Sequence, residues 1–189
     1  MRMKLRRILT LTLLLGLATA HSQPAQVLLI RHAEKPEDDD DPHLALRGQE
    51  RAMALVPFLT GSREFLTNGL PVALFATRIT ANDRGYRTQE TLAPLARELK
   101  LPVLADYRGK DYLLLAEHLL SDPTLRGKTV VVCWVHESIP ELVAALGVRS
   151  PPARWKGNVY DRVLLITLAE GRATMRDLPQ RLLFGDSPR

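Results

Sequence analysis

Val27-Leu28-Leu29-Ile30-Arg31-His32 and, far downstream, Thr129-Val130-Val131-Val132-Cys133-Trp134-Val135-His136 share one plan: a continuous apolar run with a histidine just beyond its end, at Arg31-His32 in the first and directly in the second. A strand that buries one face alternates apolar with polar residues, whereas a strand buried on both faces does not, as in the middle of a parallel sheet. Val72-Ala73-Leu74-Phe75-Ala76 is a third run of this kind, and Pro102-Val103-Leu104 is a shorter extended piece. Helical spacing fills the intervals. Leu46, Ala52, Leu55, Val56 and Leu59 fall on one broad face, with Pro57 placed to bend the last turn. Asn82 or Asp83 suits the cap of a second helix running to about Lys100. Asp111 to Leu120 reads as a third helix, and Pro140 and Gly147 frame a fourth. Arg162–Leu168 and Ala173–Arg176 straddle Glu170-Gly171 as a hairpin. This alternation predicts one three-layer α/β domain over residues 25–180, followed by a loose tail over 181–189.

The whole chain has 189 residues, 26 Lys+Arg against 21 Asp+Glu, and a formal net charge of +5. With 46% hydrophobic and 25% charged residues it is a folding sequence, not a disordered one. A single Cys excludes an internal disulfide framework and any multi-cysteine zinc site. The basic balance invites a nucleic-acid partner until its location is considered. Arg2, Lys4, Arg6 and Arg7 precede an apolar run from Ile8 through Leu17 that closes on Ala18-Thr19-Ala20. That is the layout of a secretory signal, too short to span a bilayer, with cleavage expected after Ala20. An uncleaved anchor is the rival reading. No Cys stands at the junction to carry a lipid. Without those four residues, 22 basic side chains face 21 acidic ones. A periplasmic or secreted, near-neutral domain is therefore expected, with no nucleic-acid partner and no membrane attachment once the signal is removed.

There is no G-x-G-x-x-G, no phosphate-binding loop ending in Gly-Lys-Ser/Thr and no G-x-S-x-G elbow. His136-Glu137 starts like a zinc-protease helix, but Pro140 occupies the position of the second ligand. A lone histidine at a strand end is ordinarily structural. Here His32 and His136 both lie at the carboxyl ends of apolar strands, the edge where open α/β sheets gather their ligands. Arg31 precedes the first, and Arg87, near the start of a helix, adds a second guanidinium; Arg84 joins them as a candidate for the rim. Guanidinium forks match phosphate oxygens, while positive neighbours repel a metal ion. Neither a metal nor a cofactor is expected. A neutral imidazole attacks phosphorus, and the remaining cations stabilise the charge on the equatorial oxygens. The four consecutive Asp at 38–41 read as a solvated loop, which near such a pocket would disfavour highly anionic substrates.

These residues carry a resemblance. Val27 to Glu34 resembles the Arg-His-Gly signature strand of the histidine phosphatase superfamily, which includes phosphoglycerate mutases, phosphohistidine phosphatases, acid phosphatases and phytases. The likeness continues in Leu46-Arg47-Gly48-Gln49-Glu50-Arg51-Ala52, in Arg87-Thr88-Gln89-Glu90-Thr91 and in Val131 to His136, in the family's order. It implies a phosphoglycerate mutase-like sandwich, with a mostly parallel mixed sheet between helices. It also implies His32 as the phosphorylated nucleophile, Arg31 and Arg87 as the grip on the phosphoryl group, and His136 as the residue that completes the pocket. Three features depart from the pattern. Ala33 replaces the signature glycine. Glu137 stands where mutase-like members have a small residue; in the phytase and acid-phosphatase branch an acid there protonates the leaving group. Glu137 is thus the first candidate for general acid, with Asp106 and Asp111 behind it. The interval between Arg87 and the second histidine motif is too short for large cap insertions, so an open site is expected. The reading is an exported, metal-independent phosphatase acting on small phosphate monoesters. The alternatives are a non-catalytic phospho-ligand binding protein on the same scaffold and a mutase-type phosphotransferase.

Overall fold

The computed structural model describes residues 23–38, 40–80, 85–169 and 171–188. The export segment with its junction at Ala20, the proposed caps Asn82 and Asp83, and Arg84 lie outside the described residues.

Six strands form one sheet: β1 (Gln26–Arg31), β2 (Pro71–Thr77), β3 (Val103–Tyr107), β4 (Thr129–Trp134), β5 (Arg162–Ala169) and β6 (Arg172–Pro179). Their spatial order is β3-β2-β4-β1-β5-β6. The first four are parallel, and β5 and β6 turn the far side antiparallel. All six residues of β1 and of β4 are buried, the reason neither strand alternates in sequence.

Two apolar layers follow from the pleat. Val27 and Leu29 point with Val130, Val132 and Trp134 to one face. There they meet Leu115 and Leu119 of α3 (Tyr112–Ser121) and Ile139 and Leu142 of α4 (Ile139–Ala145). Leu28 and Ile30 point with Val131 and Cys133 to the other face. They meet Leu55 and Leu59 of α1 (Leu46–Gly61) and Leu92 and Leu95 of α2 (Tyr86–Leu99). The result is a three-layer α/β sandwich with a mixed, mostly parallel centre, and α1 runs on to Gly61 with Pro57 inside it.

The same arrangement makes the crevice. β1 and β4 are paired in register from Gln26↔Thr129 to Arg31↔Trp134, so they end side by side. The chain leaving β1 goes to the α1/α2 face, and the chain leaving β4 goes to the α3/α4 face. Neighbouring strands whose connections diverge open a cleft at their carboxyl ends, where ligands bind in such sheets. His32 and His136 stand at that edge.

The closing residues differ from the loose tail expected. The side chain of Asp186 is only 3% exposed, accepts hydrogen bonds from the amides of Leu182 and Leu183, and pairs with Arg51. An isolated Asp near a chain end gives no sign in sequence of the buried cation waiting for it.

Candidate active site

The loop after β1 is fixed atom by atom. The His32 amide donates to the Trp134 carbonyl (3.3 Å) and the Ala33 amide to Thr91 Oγ1 (2.9 Å). Thr91 lies one helical turn beyond Arg87 and donates in turn to the Arg87 carbonyl (2.6 Å). α1 packs directly on this loop: a Cβ at Gly48 would come within 2.4 Å of the Glu34 carbonyl oxygen. Gly48 is therefore required by close approach. Ala33 is fully buried and accommodated, so the methyl that departs from the signature glycine does not disturb the turn.

His32 is 7% exposed. Its Nδ1 lies 2.7 Å from the Ala33 carbonyl oxygen. A carbonyl only accepts, so Nδ1 carries the hydrogen and Nε2 keeps its lone pair. Burial, then the charge of Arg31, with further repulsion from Arg87 and His136, pushes the imidazole down to about 3. His32 is thus neutral across the physiological range, its tautomer set by its own loop.

Arg31 is 2% exposed. Its Nη1 donates to the carbonyls of Gly157 (2.6 Å), Val159 (3.2 Å) and Lys156 (3.4 Å), and the guanidinium lies 4.1 Å from the Tyr160 ring centre. Its Nε is buried and makes no hydrogen bond among the described residues. Tyr160 also faces His32, with ring centres 5.9 Å apart. Arg87, 8% exposed, donates from Nε to the His43 carbonyl (3.1 Å) and from Nη2 to the Asp41 carbonyl. The acidic loop therefore borders the site and supplies oxygens that orient Arg87.

His136 joins the cluster, and its charge bears on His32. Burial first, and Arg31 second, lower its pKa, against the pull of Glu137. Its Nδ1 stands 3.1 Å from Glu137 Oε2 but off the hydrogen-bonding direction, so it makes no hydrogen bond among the described residues. The Glu137 side chain is 69% exposed. Both residues line an open cleft of about 300 Å³ together with Arg154, Trp155 and Lys156.

His32, Arg31, Arg87 and His136 thus come together, with Glu137 at the edge. Asp111 is engaged elsewhere, forked by Arg108 (2.8 and 3.0 Å), which holds its carboxyl below the usual range. Asp106 lies exposed on β3, its carbonyl taken by Arg78. Cys133 is fully buried, and burial pushes its thiol up, so it is no nucleophile. No group of three His, Cys, Asp or Glu side chains among the described residues could hold a metal ion.

Three contributors carry no site role in the sequence reading. Tyr160 precedes β5, and because β5 runs antiparallel to β1 (Ile30↔Val163), its start lies at the end of β1. Only that pairing reveals it. Thr91 was readable in principle from its spacing of four after Arg87. Lys35, near enough to lower the His136 pKa, follows directly from its place three residues after His32.

The fold is a phosphoglycerate mutase-like three-layer α/β sandwich, and solved structures described as phosphatases share it. Among solved structures, the chain is similar to a proposed alpha-ribazole-5'-P phosphatase from Escherichia coli, with TM-score 0.51, 17% identity, and coverage of 82% of this chain and 96% of that one. It is also similar to the mycobacterial glucosyl-3-phosphoglycerate phosphatase Rv2419c, determined with inorganic phosphate, with TM-score 0.50, 16% identity, and coverage of 80% and 94%. No protein-family model matches the chain, and no curated protein matches its sequence.

Proposed function

We propose that the protein is an exported, metal-independent phosphatase that hydrolyses small phosphate monoesters through a phosphohistidine on His32. The observation that carries this reading is the state of His32: a buried neutral imidazole, with Nδ1–H committed to the Ala33 carbonyl, Nε2 left with its lone pair, and the charges of Arg31 and Arg87 near enough to act on the ring. Structures of the same fold that are described as phosphatases support it. Export rests on the first twenty residues of the sequence.

In the first step the Nε2 lone pair attacks phosphorus, the P–N bond forms and the ester P–O bond breaks. The departing oxygen takes a proton, for which Glu137 is the candidate donor. Arg31, Arg87 and His136 hold the three equatorial oxygens, whose charge grows in the transition state. In the second step water attacks the phosphohistidine, Glu137 accepts its proton, and inorganic phosphate leaves with His32 restored to neutrality. The acidic loop against Arg87 favours substrates with no second phosphate on that side.

The mature protein, without residues 1–20, is expected to turn over an aryl phosphate in the presence of a chelator, and His32→Ala to be inactive. Equal rates in the two proteins would exclude the nucleophile. The exposure of Glu137 favours one other reading, a binding protein for phosphorylated ligands that lacks a fixed proton donor. Phosphate binding without turnover on any ester of a broad panel would establish that reading.

A further inference from the structure

Arg51 is 2% exposed and all five of its N–H donors are accounted for. Nε points to both carboxylate oxygens of Glu34 (3.1 and 3.0 Å), and Nη2 bridges Glu34 and Asp186 (2.7 Å each). Nη1 reaches Asp186 (2.9 Å) and Gln180 (3.0 Å). Arg47 adds a second guanidinium on Glu34 (3.2 Å) and Asp186 (3.4 Å). Two carboxylates and two guanidiniums thus form a closed, charge-balanced set.

Glu34 is two residues beyond His32, on the loop that carries the nucleophile. An ionised carboxylate there is a built-in competitor for the guanidiniums that must grip a phosphoryl dianion. We infer that Arg51 is a positioning residue that sequesters the Glu34 carboxylate, so that Arg31 and Arg87 keep their charge for phosphate. Asp186 anchors Arg51 from the opposite side: it offsets the second half of the guanidinium and binds the closing segment to α1. This role rests on the phosphate-site reading above but makes a separate claim about where negative charge is kept.

The test measures inorganic phosphate binding by calorimetry, which needs no turnover, on the mature protein and its variants. Arg51→Met is expected to weaken phosphate about tenfold or more, the size of one misplaced charge near a site. Adding Glu34→Gln to Arg51→Met is expected to restore affinity to within about twofold of wild type, since the competitor is then gone. Asp186→Asn is expected to lower the unfolding midpoint while phosphate affinity stays within about twofold, because Arg51 still holds Glu34. Arg51→Lys, which keeps a charge but loses the fork, carries the same pattern at smaller amplitude if Arg51→Met does not fold. A merely structural Arg51 would show no rescue: affinity in the double variant no better than in the single one overturns the inference. So does wild-type affinity in folded Arg51→Met. Absence of phosphate binding by the wild type overturns the site reading and this role with it, whereas normal wild-type binding with no rescue overturns this role alone.

Discussion

Arg31 and Arg51 are both 2% exposed, yet their surroundings are opposite in kind. Arg51 is enclosed by carboxylates, and although burial opposes its charge, Asp186 and Glu34 outweigh that and raise its pKa. Arg31 is held by main-chain carbonyls and a tyrosine ring, and burial lowers its pKa. A buried cation with an anion partner is finished business and serves the fold. One held by neutral dipoles is oriented but not neutralised, and its attraction is kept for a ligand. Burial alone does not separate a structural arginine from a functional one; the charge of its partners does.

The comparison breaks most visibly on stability. Arg51→Met removes the buried cation of an ionic set and leaves Glu34 and Asp186 with only the half-exposed Arg47, a loss of about 3–5 kcal/mol. Urea unfolding should show it, and a loss below about 1 kcal/mol would mean that the network is looser than its distances imply. Arg31→Met should behave in reverse. It removes a cation with no carboxylate in its first contacts, so stability holds or rises, while turnover falls about 10²–10³-fold, or roughly 2.7–4 kcal/mol of barrier. Parallel losses of stability and activity in both variants would erase the distinction.

Acid separates the two regions by pH window. His32 is held near 3 in the folded protein, against about 6.5 when exposed, so the unfolded chain binds the extra proton between those values. Stability should then be fully present above about 6.5 and decline as pH falls towards 3, by at most about 1.4 kcal/mol per unit from this group. His32→Asn should flatten that slope. Asp186 acts lower. Burial opposes its ionisation, but Arg51 and the amides of Leu183 and Leu182 outweigh burial and hold it at about 2. Its contribution is present above about 3.8 and is lost as pH falls through 2. Urea midpoints of the wild type and the two variants, His32→Asn and Asp186→Asn, across this range would resolve the two windows. A slope unchanged in His32→Asn would contradict the buried neutral imidazole.

The smallest effect expected belongs to Glu137. Glu137→Gln should leave hydrolysis of an aryl phosphate nearly unchanged but slow an alkyl phosphate, with a poor leaving group, by about 10²-fold. An equal loss on both esters would assign Glu137 to binding or structure instead.

The two arginine environments also mark how far the sequence could be read. The uninterrupted runs at Val27–Ile30 and Thr129–Val135 announced central strands, and the residues at their ends pointed to the candidate site, because strand position and the position of such a crevice are the same local fact. Arg87 was legible from its place at a helix start. What the sequence could not convey is pairing across distance. Tyr160 becomes part of the site only because β5 runs antiparallel beside β1, and Arg51 becomes structural only because Asp186 returns to it from a segment that reads as a tail. Lys156, Gly157 and Val159 orient Arg31 through carbonyl oxygens, which every residue has and no side chain signals.

The central claim is that His32 takes the phosphoryl group. The direct measurement is a rapid quench of the protein without residues 1–20 with a labelled phosphate monoester into base, followed by location of the label. The account predicts a phosphoenzyme stable in alkali and labile in acid, as a phosphoramidate is, located on His32 and absent from His32→Ala. Turnover with no trapped phosphoenzyme, or label retained in His32→Ala, would contradict it.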